Sequence, residues 1–178
     1  MTGKTLTYHG GNMAHAVCIN RGLRPGQYRL TEVFADIRAC AILQSIFADA
    51  DELDWVMANI KVLVVNRPKE MFVDNDDGSI TIGLQHLRLA SDEILYLDII
   101  HELCHVKQHL EGRDLYDRSK AYVDRETEIE AYEVTVREAR RIGLDDNAIA
   151  NYLCVSWITP EEHRRLAGRM EITVTGPS

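Results

Sequence analysis

The chain lacks the long hydrophobic runs and the N-terminal leader that would direct it into or across a membrane. No stretch approaches the roughly 20 consecutive apolar residues that a membrane-spanning helix requires. Residues 1–15 are polar and contain several glycines, without the apolar segment of a signal peptide. We therefore expect a cytoplasmic protein that has no membrane partner.

Positive charge is also scarce. The 178 residues carry a net charge of -8 with an isoelectric point near 5.3. Nucleic-acid binding normally needs a basic surface, so we expect no nucleic-acid partner. The four cysteines are widely separated and include no C-x-x-C pair. In a cytoplasmic protein this pattern favours reduced thiols over disulfides.

A chain of this length fits one compact domain, 1–178, and no repeat or linker divides it. Residues 1–30 are rich in glycine, asparagine and arginine, which predicts an extended or loosely ordered segment. Over 32–49, apolar residues recur at helical spacing and predict an N-terminal amphipathic helix with Thr31 as its cap. A short helix is predicted over 51–58.

The central part of the chain predicts strands. Residues 60–65 are rich in β-branched side chains and predict a buried strand, and 71–73 predict a second one. Residues 79–84 alternate between apolar and polar side chains, which predicts a strand with one solvated face. Together these segments predict a small, mostly antiparallel sheet within an α+β fold.

The last part of the chain predicts helices. Ser91 and Gly112 supply the start and stop signals of a helix that is apolar around most of its circumference, and such a helix is buried. Three further helices are predicted over 120–142, 145–157 and 160–168, the last of them opening on a Thr-Pro start signal.

The predicted buried helix carries the motif H-E-x-x-H as His101, Glu102 and His105. Residues four apart share one face of a helix, so both imidazoles can reach one metal ion, and neutral imidazole suits Zn²⁺. Glu102 lies beside that face, where it can take a proton from a metal-bound water. The alternative interpretation is a surface patch of charged pairs, but a buried His-Glu-His cluster without a metal would need costly hydrogen-bond compensation.

A catalytic zinc site needs a third protein ligand and an open position. His109 is four residues beyond His105, but it lies about 12 Å along the helix axis from His101, too far for the same site. The +7 and +10 positions of H-E-x-x-H-x-x-G-x-x-H are Gln108 and Glu111, so that longer motif is absent. The third ligand must therefore come from elsewhere in the chain.

An acidic segment about 20 residues downstream supplies the better candidates. An antiparallel helix would bring this segment back alongside the H-E-x-x-H helix, and a carboxylate completes a His₂Glu set. Glu126 and Glu130 share one helical face, whereas Glu128 lies on another. Geometry alone leaves open which of the three glutamates reaches the metal, and most of them would suit a solvated face.

The segment His101-Glu102-Leu103-Cys104-His105, followed by Glu128-Ile129-Glu130-Ala131, resembles the gluzincin zinc metallopeptidases, especially compact members with E-x-E-A on the glutamate helix. The resemblance covers roughly residues 59–140. It implies that Glu128 is the third zinc ligand. The residue four further on is often Asp or Asn in this family and supports a ligand histidine. Here it is Tyr132, whose phenol is a candidate for the same role or for stabilising the oxyanion.

The resemblance also implies a zincin-like fold, with an N-terminal helix, a small sheet, the metal-binding helix, the glutamate helix and two C-terminal helices. The expected function is a zinc-dependent peptidase in which Glu102 activates a zinc-bound water to cleave a peptide or protein substrate. In such folds an edge strand pairs with the extended substrate, and 79–84 is similarly placed. Tyr152 and His163 are further candidates for oxyanion donors.

Two alternatives stay open from the sequence. The protein could be another zinc amidohydrolase with a cysteine ligand, for which Cys18 and Cys40 are the upstream candidates. It could also be a non-catalytic module that zinc stabilises, or that binds peptide without cleaving it. A closed site with four protein ligands would mark that module, and His9, His15 and His86 are available for it. The sequence indicates neither the specific substrate nor the oligomeric state.

Overall fold

A four-stranded sheet and a group of helices form the protein. The computed structural model describes residues 17–67 and 70–173, and within them the chain forms short strands and eight α-helices. The strands are β1 (Cys18–Ile19), β2 (Gly26–Arg29), β3 (Phe34–Ala35), β4 (Lys61–Val65), β5 (Met71–Val73) and β6 (Ile80–Gly83). The helices are α1 (Leu30–Val33), α2 (Leu43–Ile46), α3 (Ala50–Asn59), α4 (Leu84–Leu89), α5 (Asp92–Leu110), α6 (Glu126–Arg141), α7 (Asp146–Leu153) and α8 (Pro160–Arg169). The predicted mixture of helices and strands is confirmed.

The order of strands in the main sheet is β2-β4-β6-β5. Strands β4 and β6 are parallel, whereas β2 with β4 and β5 with β6 are antiparallel. The sheet is therefore mostly antiparallel, as predicted. The prediction that 79–84 forms an edge strand is wrong, because β6 hydrogen-bonds to a neighbour on each side and all four of its residues are buried. Thr81 interrupts the apolar run but is buried. The alternation of apolar and polar residues therefore predicted a solvated face that this central strand does not have. Strand β5 lies at the edge instead.

The predicted N-terminal helix over 32–49 is also wrong. Helix α1 ends at Val33, the next two residues pair with β1, and Asp36 has a positive φ of 64° that interrupts any helix. A 3₁₀ turn at Ile37–Ala39 and the short α2 follow. The apolar residues are buried as the periodicity requires, but an irregular path buries them. Pairing with β1 outweighs a helical propensity that is only a weak preference.

The described part of the segment 1–30 contains two strands, β1 and β2. Residues 1–16 lie outside the described residues. Beyond them, β2 forms one edge of the main sheet by pairing with β4. Its sequence Gly-Gln-Tyr-Arg has no apolar alternation, because three of the four residues are exposed at the sheet edge. Composition therefore gave no signal for this strand.

The helical predictions hold best where capping signals are strong. Ser91 caps α5 by accepting a hydrogen bond from the backbone N–H of Ile94, and Gly112, with a φ of 75°, ends it. Helix α5 is buried over most of its length and packs most extensively against α6. Thr159 likewise caps α8. Among the described residues, no helix is long and apolar enough to span a bilayer.

Two helices are shorter than predicted, and both differences shape the candidate site. Helix α6 begins at residue 126 instead of 120, because Tyr122–Asp124 form a 3₁₀ turn and Arg125 has an extended backbone. Helix α7 ends at Leu153. The chain after it is a loop in which Trp157, 53% exposed, lines a cavity beside the candidate site.

Candidate metal centre

Helix α5 presents His101 and His105 on one buried face, as the four-residue spacing predicts. Each residue is 6% exposed, and the two rings pack edge to face with centroids 4.7 Å apart. Their Nε2 atoms approach to 3.0 Å. The two nitrogens therefore converge on the same point beside the helix.

Helix α6 packs against α5 and brings Glu128 to that point. Its Oε2 lies 3.3 Å from Nε2 of His101 and 3.4 Å from Nε2 of His105. Zinc–ligand distances of about 2.0–2.2 Å imply separations of about 3.3–3.5 Å between the ligand atoms of a tetrahedral site. The donor set fits a metal ion in both chemistry and spacing. This buried group of three side chains could hold one.

The other two glutamates of the acidic segment point elsewhere. Glu126 is exposed and forms an ion pair with Lys120. Glu130 forms an ion pair with Arg113. Of the three glutamates that the sequence left open, Glu128 is the one that the fold places beside the histidines.

Electrostatics of the cluster favour a cation at the point of convergence. Burial lowers the pKa of His101. Burial also acts to lower the pKa of His105, but the Glu128 carboxylate outweighs it and raises that pKa to about 9. Burial opposes the ionisation of Glu128, yet hydrogen bonding with the two histidines holds its pKa well below the usual range. A proton on His105 neutralises part of the negative charge of Glu128, whereas a metal ion would bind all three ligand atoms.

Glu102 lies beside the cluster without joining it. It is 6% exposed, and its Oε2 has no hydrogen-bond partner among the described residues. Burial raises the pKa of its carboxyl to about 8, partly offset by the positive charge of His105 and a hydrogen bond with the backbone of Val73. A nearby metal cation would lower that pKa again. An unpaired carboxylate oxygen in this position is available to accept a proton from a reactant.

A series of hydrogen-bonded side chains behind His105 fixes the orientation of its ring and the nitrogen that donates. Arg113 pairs with the Glu130 carboxylate, which lowers the pKa of Glu130. The Nε2 of Gln108 donates to that carboxylate at 3.0 Å and to the carbonyl of Thr127 at 2.9 Å. Both of those groups only accept, so Oε1 of Gln108 must face Nδ1 of His105, 2.8 Å away. Nδ1 must then donate its proton, so the neutral ring that binds a metal carries its lone pair on Nε2.

The hydrogen bonds that link Gln108 to His105 and Glu130 were not predicted from the sequence, although Gln108 lies three residues after His105 on the same helical face. The tyrosine expected to support a histidine does something else. Tyr132 packs its ring against His101, with centroids 4.5 Å apart, and its hydroxyl bonds to that of Tyr122 at 2.9 Å. Nδ1 of His101 has no hydrogen-bond partner among the described residues. Among the described residues, Tyr132 therefore contacts His101 through its ring and not through a hydrogen bond.

The other candidate donors separate in space. His163 donates to or accepts from no site residue in the described structure; its Nε2 bonds to the carbonyl of Ala150 and ties α8 to α7. Tyr152 borders a cavity beside the centre, and burial raises its pKa well above the usual value. Tyr122, which the sequence did not single out, lines both cavities next to the cluster. Burial raises its pKa well above the usual value, and the nearby Glu128 carboxylate adds to that effect.

Two adjoining cavities open onto the cluster, and His101 and Glu102 border both of them. The main cavity has a volume of about 540 Å³ and is also bordered by His105, Glu128 and the edge strand β5. The side cavity has a volume of about 300 Å³ and extends towards Asp98. The cluster is therefore buried in protein on one side and accessible on the other, as a reactive centre requires.

The ligands expected from the alternative interpretations are not in this cluster. Cys18 is exposed, and Cys40 is buried beside Tyr96, where burial raises its thiol pKa. His86 bonds to Asp98 at 2.7 Å in the side cavity. His9 and His15 lie outside the described residues. Within the described part of the chain, the metal-ligand group comprises two histidines and one glutamate.

Comparisons with known proteins identify no relative of this chain. No protein-family model, no curated protein and no solved structure matches the chain. The interpretation of the centre therefore depends on its own geometry and chemistry.

Proposed function

We propose that the protein is a zinc-dependent peptidase of the gluzincin type, in which His101, His105 and Glu128 hold the metal and Glu102 is the general base. One observation carries the proposal: three buried ligand atoms converge at 3.0–3.4 Å beside an unpaired buried carboxylate, at the wall of an open cavity. A purely structural zinc site would have a closed fourth position.

The chemistry divides between the metal and the side chains. When bound, zinc would polarise the substrate carbonyl and lower the pKa of a coordinated water to about 7. Glu102 would accept the proton of the attacking water through Oε2 and then deliver it to the leaving amine, as a buried general base and acid. Burial raises the pKa of Glu102 to about 8 in the absence of a metal, and a bound cation would lower this pKa and favour the ionised carboxylate. Packing between α5 and α6 keeps the base and the ligands in fixed relative positions.

The edge strand β5 supports a peptide as the substrate. Among the described strands, β5 pairs with β6 alone, and Met71 to Val73 border the main cavity. An extended peptide can bind such an edge through its backbone. The hydroxyl of Tyr116 donates to the carbonyl of Val73 at 2.6 Å, so pairing at that position requires Tyr116 to move aside.

The first test is metal content combined with substitution of ligands. The wild-type protein should bind one zinc ion per chain by elemental analysis, and Glu128→Ala should weaken this binding strongly. Glu126→Ala is the matched control, because Glu126 is exposed on the same helical turn. Glu102→Gln should keep the zinc and reduce cleavage of a peptide library by about 10²–10⁴-fold.

Three outcomes would contradict the proposal in different ways. A folded protein that binds no zinc, even when zinc is supplied, removes the metal centre. Full activity in Glu102→Gln removes the mechanism. Zinc binding without cleavage of any peptide would indicate a zinc-stabilised or peptide-binding module instead of an enzyme.

A further inference from the structure

The main cavity contains a cation whose role the metal chemistry does not use. Arg125 immediately precedes α6, three residues before Glu128, and lines this cavity. Among the described residues that border the main cavity, it is the single arginine or lysine. Its Nε donates to the carbonyl of Asp117 at 3.1 Å, and its guanidinium lies over the ring of Tyr122, 5.7 Å from the centroid. These two contacts fix the side chain against the cavity wall.

The terminal nitrogens of Arg125 have no partner in the described structure. They form neither a hydrogen bond nor an ion pair there, whereas Arg113 and Arg141 each hold a carboxylate with two nitrogens. A guanidinium presents a planar pair of donors that matches a carboxylate. An anchored arginine with this pair unused, at the wall of a cavity, is suited to an anionic group of a ligand.

The side cavity lacks such a cation. Asp98 borders the side cavity alone, Glu70 borders both cavities, and the described lining of the side cavity includes no arginine or lysine. The side chain of Asp98 is 19% exposed and accepts from His86 at 2.7 Å. The carboxylate of Asp98 would repel a second carboxylate that entered this space, and no arginine or lysine among the described lining residues would offset that repulsion. His101 and Glu102 border both cavities, so the metal centre lies between a cavity that offers Arg125 to an anion and a cavity that offers Asp98 without an arginine or lysine.

We infer that the substrate is a peptide with a carboxylate on one side of the scissile bond, and that Arg125 binds this carboxylate in the main cavity. The inference rests on the proposed peptidase function and names its substrate class. The carboxylate can come from an aspartate or glutamate side chain or from the C-terminus of the peptide. Repulsion in the side cavity determines which way round the peptide lies.

The test compares the cleavage of matched peptides by the zinc-loaded protein. Internally quenched peptides carry glutamate or glutamine at successive positions on each side of the scissile bond, and each is made with a free or an amidated C-terminus. The ratio of kcat/KM for each charged peptide to its neutral partner should exceed about tenfold on one side only. An effect of glutamate identifies a side chain as the source, and an effect of amidation identifies the terminus.

Substitution of Arg125 then separates recognition from structure. Arg125→Gln should bring the ratio close to one, and Arg125→Lys should restore part of it because a charge returns without the planar fork. Arg118→Gln is the control, since Arg118 is exposed in the same loop region and borders neither cavity. If Arg125→Gln slows cleavage of charged and neutral peptides equally, its role is structural and the inference is wrong. A carboxylate preference on both sides would also overturn it.

Failure of the peptidase proposal can be distinguished from failure of this inference. The same peptides, carrying a fluorophore, are bound to the zinc-loaded Glu102→Gln protein and followed by fluorescence anisotropy. A carboxylate preference that Arg125→Gln removes supports the inference even if the wild type cleaves nothing. Equal or absent binding of charged and neutral peptides overturns it.

Discussion

The hydrogen-bonded chain behind His105 predicts a specific effect of replacing Gln108 with methionine. Methionine nearly matches glutamine in length but offers no amide. Gln108→Met would leave Nδ1 of His105 without an acceptor and would remove the donor to Thr127 and Glu130. No hydrogen bond would then select the tautomer and the ring orientation in which Nε2 faces Glu128. We expect the zinc affinity to fall about 10–100-fold, as for other groups that orient a metal-binding histidine.

This loss corresponds to about 1.4–2.8 kcal/mol of binding free energy. Gln108 is 4% exposed, so water cannot readily replace its three hydrogen bonds. Leaving buried polar groups unpaired should also lower the free energy of unfolding of the metal-free protein by about 1–3 kcal/mol. The two effects are separable, because zinc affinity is measured on protein that is folded.

The assay is competition for zinc with a fluorescent chelator, together with ¹⁵N NMR of the histidine rings in the metal-free protein. Recorded above the His105 pKa of about 9, where the ring is neutral, the wild-type spectrum should show the proton on Nδ1, and Gln108→Met should lose this preference. Lys107→Met is the matched control, because Lys107 is the adjacent residue and pairs with Glu52 away from the centre. Gln108→Glu keeps an acceptor for His105, so it should bind zinc more tightly than Gln108→Met. Equal zinc affinity for Gln108→Met and Lys107→Met would refute the reasoning.

Three further predictions test the fold around the centre. Gly78 has a φ of 72°, and a Cβ there would lie 2.6 Å from the ring of His109. Gly78→Ala should therefore lower the free energy of unfolding by about 1–3 kcal/mol, measured as a lower urea midpoint with an unchanged slope. The fully buried carboxylate of Glu138 accepts from Tyr96 and Arg141, so thermal denaturation of Glu138→Ala should show a loss of about 2–3 kcal/mol. Exposed Cys154 should react with iodoacetamide at pH 8 in the folded protein. Cys40 is buried, and burial raises its pKa, so it should react only after unfolding. Rapid labelling of both cysteines, measured by mass spectrometry, would contradict the described core.

Part of the candidate centre could be predicted because it is local in sequence. His101 and His105 share a helical face wherever that helix forms, and the cap at Ser91 and the glycine at 112 set its ends through backbone geometry alone. The apolar circumference of the same helix predicted its burial. These features need no knowledge of what packs against them.

The choice of Glu128 needed more than periodicity. Helical geometry divided the three candidate glutamates between two faces, and the resemblance to E-x-E-A favoured one of them. The packing angle and register of α6 on α5 place Glu128 beside the histidines, with Glu130 beside Arg113 and Gln108. That register arises from the whole interface between the two helices, so no short stretch of sequence encodes it.

The sequence by itself therefore determined the helix that carries the candidate metal ligands, its caps and the pair of histidines, because each depends on residues within a few positions of one another. Tertiary structure alone decided that β6 is central and β5 is the edge, that the chain over 32–49 is irregular, and that Arg125 lines the main cavity. In each of these cases the partners are far apart in the chain. Their contacts follow from strand pairing and helix packing, which compete with and can override the local preferences that a sequence pattern reveals.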